Sequence, residues 1–124
     1  MAGIAFGAGC DAARTAGPRL PSYASRSPAI RTGYLFASGE GAALLTQLPC
    51  YCACAALGHK HLRDCFISDA GVFDSHAAGC QVCIDEALDA RAMLARGTPA
   101  RDIRAAIDRT YAGRGKPTDT PPVA

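Results

Sequence analysis

Six of the seven cysteines and all three histidines of this chain fall between Cys50 and Cys83, opening with the run Pro49-Cys50-Tyr51-Cys52-Ala53-Cys54. Cysteines at i, i+2 and i+4 do not readily reach one another in good disulfide geometry, yet they can close around one soft ion or a small cluster. The rest of the chain gives such a site structural weight. Of its 124 residues 49% are hydrophobic, but aromatics are only 6% and tryptophan is absent, so much of the apolar content is alanine. Side chains that small build a thin core, and a bound metal would act as its staple.

A chain of this length forms one domain at most and buries roughly two thirds of its unfolded surface. The net charge of +2 comes from 13 basic and 11 acidic residues spread along the sequence. No basic stripe with interleaved aromatics results, and nucleic acid is not an expected partner. No stretch approaches the roughly 20 apolar residues that cross a bilayer.

The two ends differ from the middle. Gly7-Ala8-Gly9-Cys10 places a lone cysteine after small residues and a short apolar run, which resembles the lipobox at which bacterial lipoproteins are cleaved and acylated. The uncharged stretch before it is short for a full signal and reads as one cut short upstream; the alternative is a free cysteine on a tail. Residues 11–29 carry Gly17-Pro18, Pro21-Ser22 and Ser25-Arg26-Ser27-Pro28 with little periodicity. Residues 1–29 are therefore expected to form a tether, with a membrane connection only through a lipid anchor at Cys10. From Gly113 through Lys116-Pro117 to Pro121-Pro122 the chain is again polar and proline-rich, and residues 113–124 are expected to be a disordered tail.

Residues 30–112 read as all-α, a small helical bundle with a Cys-rich metal-binding loop packed over it. After Ser27-Pro28, a cap and a first-turn proline, Ile30, Tyr34 and Ala37 recur at helical spacing. Gly39-Glu40-Gly41 interrupts, and Leu44, Leu45 and Leu48 resume, giving one broken helix or two short ones that end at Pro49. The stretch from Cys50 to Phe73 is loop-like, with a short helical turn around His61 to Phe66. A longer helix is expected from an Asp74 N-cap to Arg96 with Gly97 as its stop, and another after Thr98-Pro99, with Ile103, Ala106, Ile107 and Tyr111 as its buried stripe.

On that longer helix His76, Cys80 and Cys83 would stand at i, i+4 and i+7, within about 60° of one another on the wheel. The candidate metal ligands are accordingly Cys50, Cys52, Cys54, His59, Cys65, His76, Cys80 and Cys83. His61, flanked by Lys60 and Arg63, is assigned to the surface, Met93 to the core, and Asp85, Glu86 and Asp89 to the solvated side of the helix. Tyr51 and Phe73 would shield the site from water. Clustered thiolates suit Cu(I), which is soft and low-coordinate and accepts bridging sulfurs; Cys80-x-x-Cys83 keeps zinc open. The metal-free alternative is a set of disulfides, which an oxidising compartment would favour.

The run at Pro49–Cys54 resembles the signature of the bacterial PCYCGC-motif proteins. The resemblance continues through Gly58-His59-Lys60, Asp64-Cys65-Phe66, Phe73-Asp74, His76-Ala77-Ala78-Gly79-Cys80 and Cys83 to Gly97. It implies a shared fold and, because many such proteins are predicted lipoproteins, an extracytoplasmic location with possible membrane anchoring, but no established reaction. Ala53 replaces the glycine of the motif, so a left-handed backbone there would be strained. The function expected is sequestration or delivery of Cu(I), with a metal donor or acceptor protein as partner and no catalysis. Two alternatives remain open: a structural zinc-bound or disulfide-linked interaction domain, and a thiol–disulfide oxidoreductase using Cys80 and Cys83.

Overall fold

The computed structural model describes residues 19–124; the lipobox-like segment ending at Cys10 lies outside them. The first helix, α1 (Pro28–Ser38), is capped by Ser27, whose hydroxyl accepts from the Ile30 amide at 3.1 Å, and Pro28 sits where its missing N–H costs nothing. Its inward face carries Gly33, Tyr34, Phe36 and Ala37. At Gly39-Glu40-Gly41 the helix breaks, because Gly41 lies so close to the Phe36 ring that a Cβ would collide with it. A single turn, α2 (Ala42–Leu45), follows, so the expected pair of short helices is what forms.

From Pro49 to Cys80 the chain is held by 3₁₀ turns at Cys54–Leu57, Leu62–Cys65 and Ala77–Gly79 and by a lone antiparallel bridge between Ile67 and Phe73. Two longer helices then close the bundle, α3 (Gln81–Ala95) and α4 (Ala100–Tyr111). Helix α3 packs between α1 and α4. Tyr34, Leu45, Leu48, Leu62, Phe66, Ile103 and Ile107 are essentially fully buried, and burial of each large aliphatic side chain contributes about 1.5–3 kcal/mol. The Tyr34 ring meets Phe66 edge-on at 5.1 Å.

The α3 boundary differs from the sequence expectation. The helix begins at Gln81 rather than near Asp74, and Cys80 is an extended N-cap with φ −127° and ψ 106°. The cause is tertiary. The buried Tyr34 hydroxyl donates to the Asp74 carbonyl and accepts from the Ala78 amide at 3.1 Å, holding residues 74–78 off the helical path. The other end is as expected: Gly97 adopts φ 81°, its amide donates to the Leu94 carbonyl at 2.9 Å, and Thr98 donates to Met93 at 3.0 Å, a Schellman closure. In α4, Ile103, Ile107 and Tyr111 are buried and Ala106 half-buried.

Both presumed ends reach further into the fold than composition suggests. In the described part of the tether, Ala24 is fully buried in a 3₁₀ turn at Ser22–Ser25, and Tyr23 packs on Tyr34 at 5.9 Å. Residues 113–124, expected to be a disordered tail, are placed against the fold. Thr118 and Thr120 are buried, and the segment lies along the cysteine run. Polar, proline-rich composition measures the lack of a packed core of its own, and here the segment borrows one. Arg104 holds the strap by donating to the carbonyls of Thr120 at 3.0 Å and Pro121 at 2.7 Å. Among the described residues no helix is long and apolar enough to cross a membrane.

Candidate metal centre

Cys50, Cys52, Cys54, Cys65, Cys80 and Cys83 converge on one place between the loop and the N-terminus of α3. Sulfur–sulfur separations are 3.2 Å for Cys50 and Cys52, 3.4 Å for Cys50 and Cys83, 3.6 Å for Cys52 and Cys83, and 3.4 Å for Cys54 and Cys65. All six are free thiols, and these distances lie well beyond the roughly 2.05 Å of a disulfide. The sulfurs crowd as one group rather than as three separate couples.

Three overlapping donor sets each have every ligand atom within 4.8 Å of the others: Cys50, Cys52, Cys65 and Cys83; Cys52, Cys54, Cys65 and His76; and Cys52, His76, Cys80 and Cys83. Metal–sulfur bonds of about 2.3 Å place sulfurs about 3.8 Å apart around a tetrahedral ion and about 4.0 Å apart around a trigonal one. The sets therefore fit a soft metal ion with small side-chain adjustments. Cys52 belongs to all three.

Several local features put the ligands there. Ala53, at φ 64°, is in the left-handed region and turns the chain so that Cys54 drops inward while Ala53 itself stays exposed. Cys83 lies in the first turn of α3 and is fully buried. His76 does not share a helix with Cys80 and Cys83 as the spacing suggested; it reaches the cluster from the turn before α3, with Nε2 3.1 Å from the Cys52 sulfur. The residues expected together are together, but on three separate pieces of backbone.

Asp74 organises both histidines instead of capping α3. Its Oδ1 accepts from the His76 amide at 2.7 Å, and its Oδ2 lies 3.3 Å from His59 Nε2. The other ring nitrogen of His59 is 3.5 Å from the Cys65 sulfur. A carboxylate on the outer nitrogen holds the proton there and leaves the inner one free to bind metal, an arrangement recurrent around metal-ligating histidines. His59 thus stands at the rim of the cluster and outside the three tight sets.

Electrostatically the cluster is uneven. The Cys65 thiol, with help from His76, Cys50 and Cys83 and against burial, holds Cys52 as a thiolate and pushes its pKa down to about 3. Cys54, facing that of Cys50, is pushed up to about 11, and Cys65 rises too, chiefly because of Cys50. Burial raises Cys80. The activated thiol is thus Cys52, not Cys80, the first cysteine of the Cys-x-x-Cys pair.

Glu86 lies elsewhere than its sequence position suggests. Assigned to the solvated face, it is fully buried; its Oε1 accepts from the Tyr51 amide at 2.8 Å, and Oε2 has no partner among the described residues. Burial pushes its pKa up to about 9, so the carboxyl is neutral near pH 7. A usable signal existed: Cys83, Glu86 and Ala90 stand at i, i+3 and i+7, one stripe of α3. Asp89 is engaged as well, accepting from the Tyr111 hydroxyl of α4.

Tyr51 is buried and its hydroxyl donates to Asp108 of α4 at 2.6 Å, Phe73 packs beside Tyr34 at 6.2 Å, and Met93 is half-buried against the core. His61 stays out of the cysteine cluster but is not a solvated side chain: it is 15% exposed, with Nε2 3.8 Å from Asp64.

No curated protein and no solved structure matches the chain. A family model does match, over residues 11–123, described as a protein of unknown function with PCYCGC motif. That span takes in the cysteine run, both histidine turns, α3, α4 and the strap, and the chain belongs to the PCYCGC-motif family.

Proposed function

We propose that the chain is an extracytoplasmic Cu(I)-binding protein that sequesters copper or hands it to a partner protein. One observation carries the choice of metal: the three donor sets share Cys52, and pairs of them share Cys65, Cys83 or His76. Each set taken alone has the composition of a zinc site, Cys₄ or Cys₃His. Sharing of sulfurs between neighbouring sets suits Cu(I), a soft ion of low coordination number that accepts bridging thiolates, better than zinc, which favours closed sites with its own four ligands. Burial of Cys50, Cys65 and Cys83 supports retention of an ion away from water and oxidants. The extracytoplasmic placement rests on the lipobox-like Gly7-Ala8-Gly9-Cys10.

Anaerobic titration of the purified, reduced protein with Cu(I) against a colorimetric Cu(I) chelator tests the metal assignment. More than one tightly held ion per chain is expected, and Cys52→Ser should lose more copper than Cys54→Ser, since it breaks all three sets. Binding of less than one equivalent, or a higher affinity for zinc in direct competition, would overturn it. Fatty-acid labelling of the protein expressed from its native gene tests the location.

A further inference from the structure

The donor sets differ in their access to solvent. Cys50, Cys65 and Cys83 are fully buried, whereas Cys52, His76 and Cys80 are half-exposed. One set, Cys52, His76, Cys80 and Cys83, is thus open on the side of His76 and Cys80; another, Cys50, Cys52, Cys65 and Cys83, is closed except at Cys52. The two have Cys52 and Cys83 in common, with sulfurs 3.6 Å apart. An ion at one set needs to change only two ligands to occupy the other.

Building on the copper reading, we propose that the centre works as a two-level relay: the outer set, Cys52, His76, Cys80 and Cys83, takes Cu(I) from a thiolate carrier, and the inner set with Cys50 and Cys65 retains it. Loading is a ligand exchange without redox change. For each bond from copper to a carrier sulfur that breaks, a bond to Cys52, Cys80 or Cys83 forms and the proton of the incoming thiol passes to the departing carrier thiolate, while His76 joins as a neutral donor. Inward transfer follows the same balance. As the bonds to Cys80 and His76 break, bonds to Cys50 and Cys65 form; the proton of one incoming thiol returns to Cys80 and that of the other passes to the freed His76 imidazole. Cys52 and Cys83 hold the ion throughout, so it is never released to water.

The arrangement has a direction. His76 and Cys80 both lie on the turn that leads into α3, outside the buried helical Cys83. The Asp74 carboxylate fixes that turn from the solvent side by accepting from the His76 amide.

The test is copper exchange kinetics on the intact, reduced protein. Full-length chain is loaded anaerobically from the Cu(I)–glutathione complex, and release to an excess of Cu(I) chelator is followed with time. Two phases are expected, a fast one from the outer set and a slow one from the inner set. Cys80→Ser and, as an independent variant, His76→Ala should each slow loading roughly tenfold. Cys65→Ser should instead remove the slow phase and keep the fast one. Release in a single phase from wild type, or unchanged loading in both outer variants, overturns the relay and leaves copper binding intact. Failure of wild type to take up Cu(I) at all overturns the relay and the copper reading together.

Discussion

Cys50 and Thr118 are bonded in both directions across 68 positions of sequence: the Cys50 amide donates to Thr118 Oγ1 at 3.0 Å, and the Thr118 amide donates to the Cys50 carbonyl at 3.0 Å. The first ligand of the cysteine run is thereby fixed by the C-terminal strap. Ala53 is held the same way, its amide donating to the Lys116 carbonyl at 3.1 Å, and the Thr120 hydroxyl donates to the Lys60 carbonyl at 2.7 Å.

Removing a partner from this pairing should be costly because the groups are buried. Thr118→Val leaves the Cys50 amide without its acceptor and is expected to destabilise the metal-free protein by about 1–3 kcal/mol. Gly115→Ala attacks the same contact sterically, since a Cβ there would lie 2.6 Å from the Tyr51 carbonyl oxygen. Urea denaturation under reducing conditions measures both. Stabilities equal to wild type would mean that the strap is not docked in solution.

Ala53 stores strain at the turn of the motif. Its φ of 64° costs an alanine about 1–2 kcal/mol, part of which glycine gives back through greater freedom in the unfolded chain. Ala53→Gly should stabilise the protein by about 0.5–1 kcal/mol, and Ala53→Val, β-branched, should destabilise it by at least as much. Because Ala53 is exposed, neither change alters core packing. Thermal denaturation of the two variants beside wild type decides the matter, and the opposite ordering would show that the left-handed turn is absent.

Asp74→Asn replaces a pure acceptor by a group that presents N–H₂ toward His59 Nε2. The imidazole would then shift its proton to Nδ1, the nitrogen facing Cys65, while the asparagine oxygen can still accept from the His76 amide. Metal affinity is expected to fall roughly 10- to 100-fold with little loss of metal-free stability. Chelator competition and urea denaturation, run in parallel, separate the two effects; equal affinity would place His59 outside the centre's chemistry.

Glu86 makes stability depend on pH in a defined direction. Its folded pKa of about 9 lies above the ordinary value of 4.5, so between those values the folded state keeps a proton that the unfolded chain has released. The stability this contributes is full below about pH 4.5 and is lost as pH rises toward 9, by at most about 1.4 kcal/mol per pH unit. Glu86→Gln retains an acceptor for the Tyr51 amide and removes the titration. Its stability relative to wild type should be near zero at pH 5 and grow steadily to pH 8. A difference independent of pH would show the carboxyl to be ionised in the fold.

Much of the scaffold was legible along the chain because its signals are local. Ser27-Pro28 starts α1, Gly97 closes α3 and the Ile103, Ile107, Tyr111 stripe defines α4 through interactions spanning a few residues. The gathering of the six cysteines was legible for a related reason: so many soft ligands in so short a stretch leave few other arrangements. How they are presented was not. His76 reaches Cys52 without any shared helix, because the buried Tyr34 hydroxyl, forty positions upstream of Asp74, redirects residues 74–78.

By itself, then, the sequence determined an all-α bundle and a local concentration of soft ligands, since helix periodicity, caps and ligand type are properties of neighbours in the chain. Only the tertiary structure decided that Glu86 is buried, that Asp74 serves the histidines, that residues 116–121 strap the cysteine run and that Cys52 is common to every donor set. Those facts depend on which distant groups meet in three dimensions. Burial, and the need of each buried amide for a partner, is settled there and leaves no periodic trace in the chain.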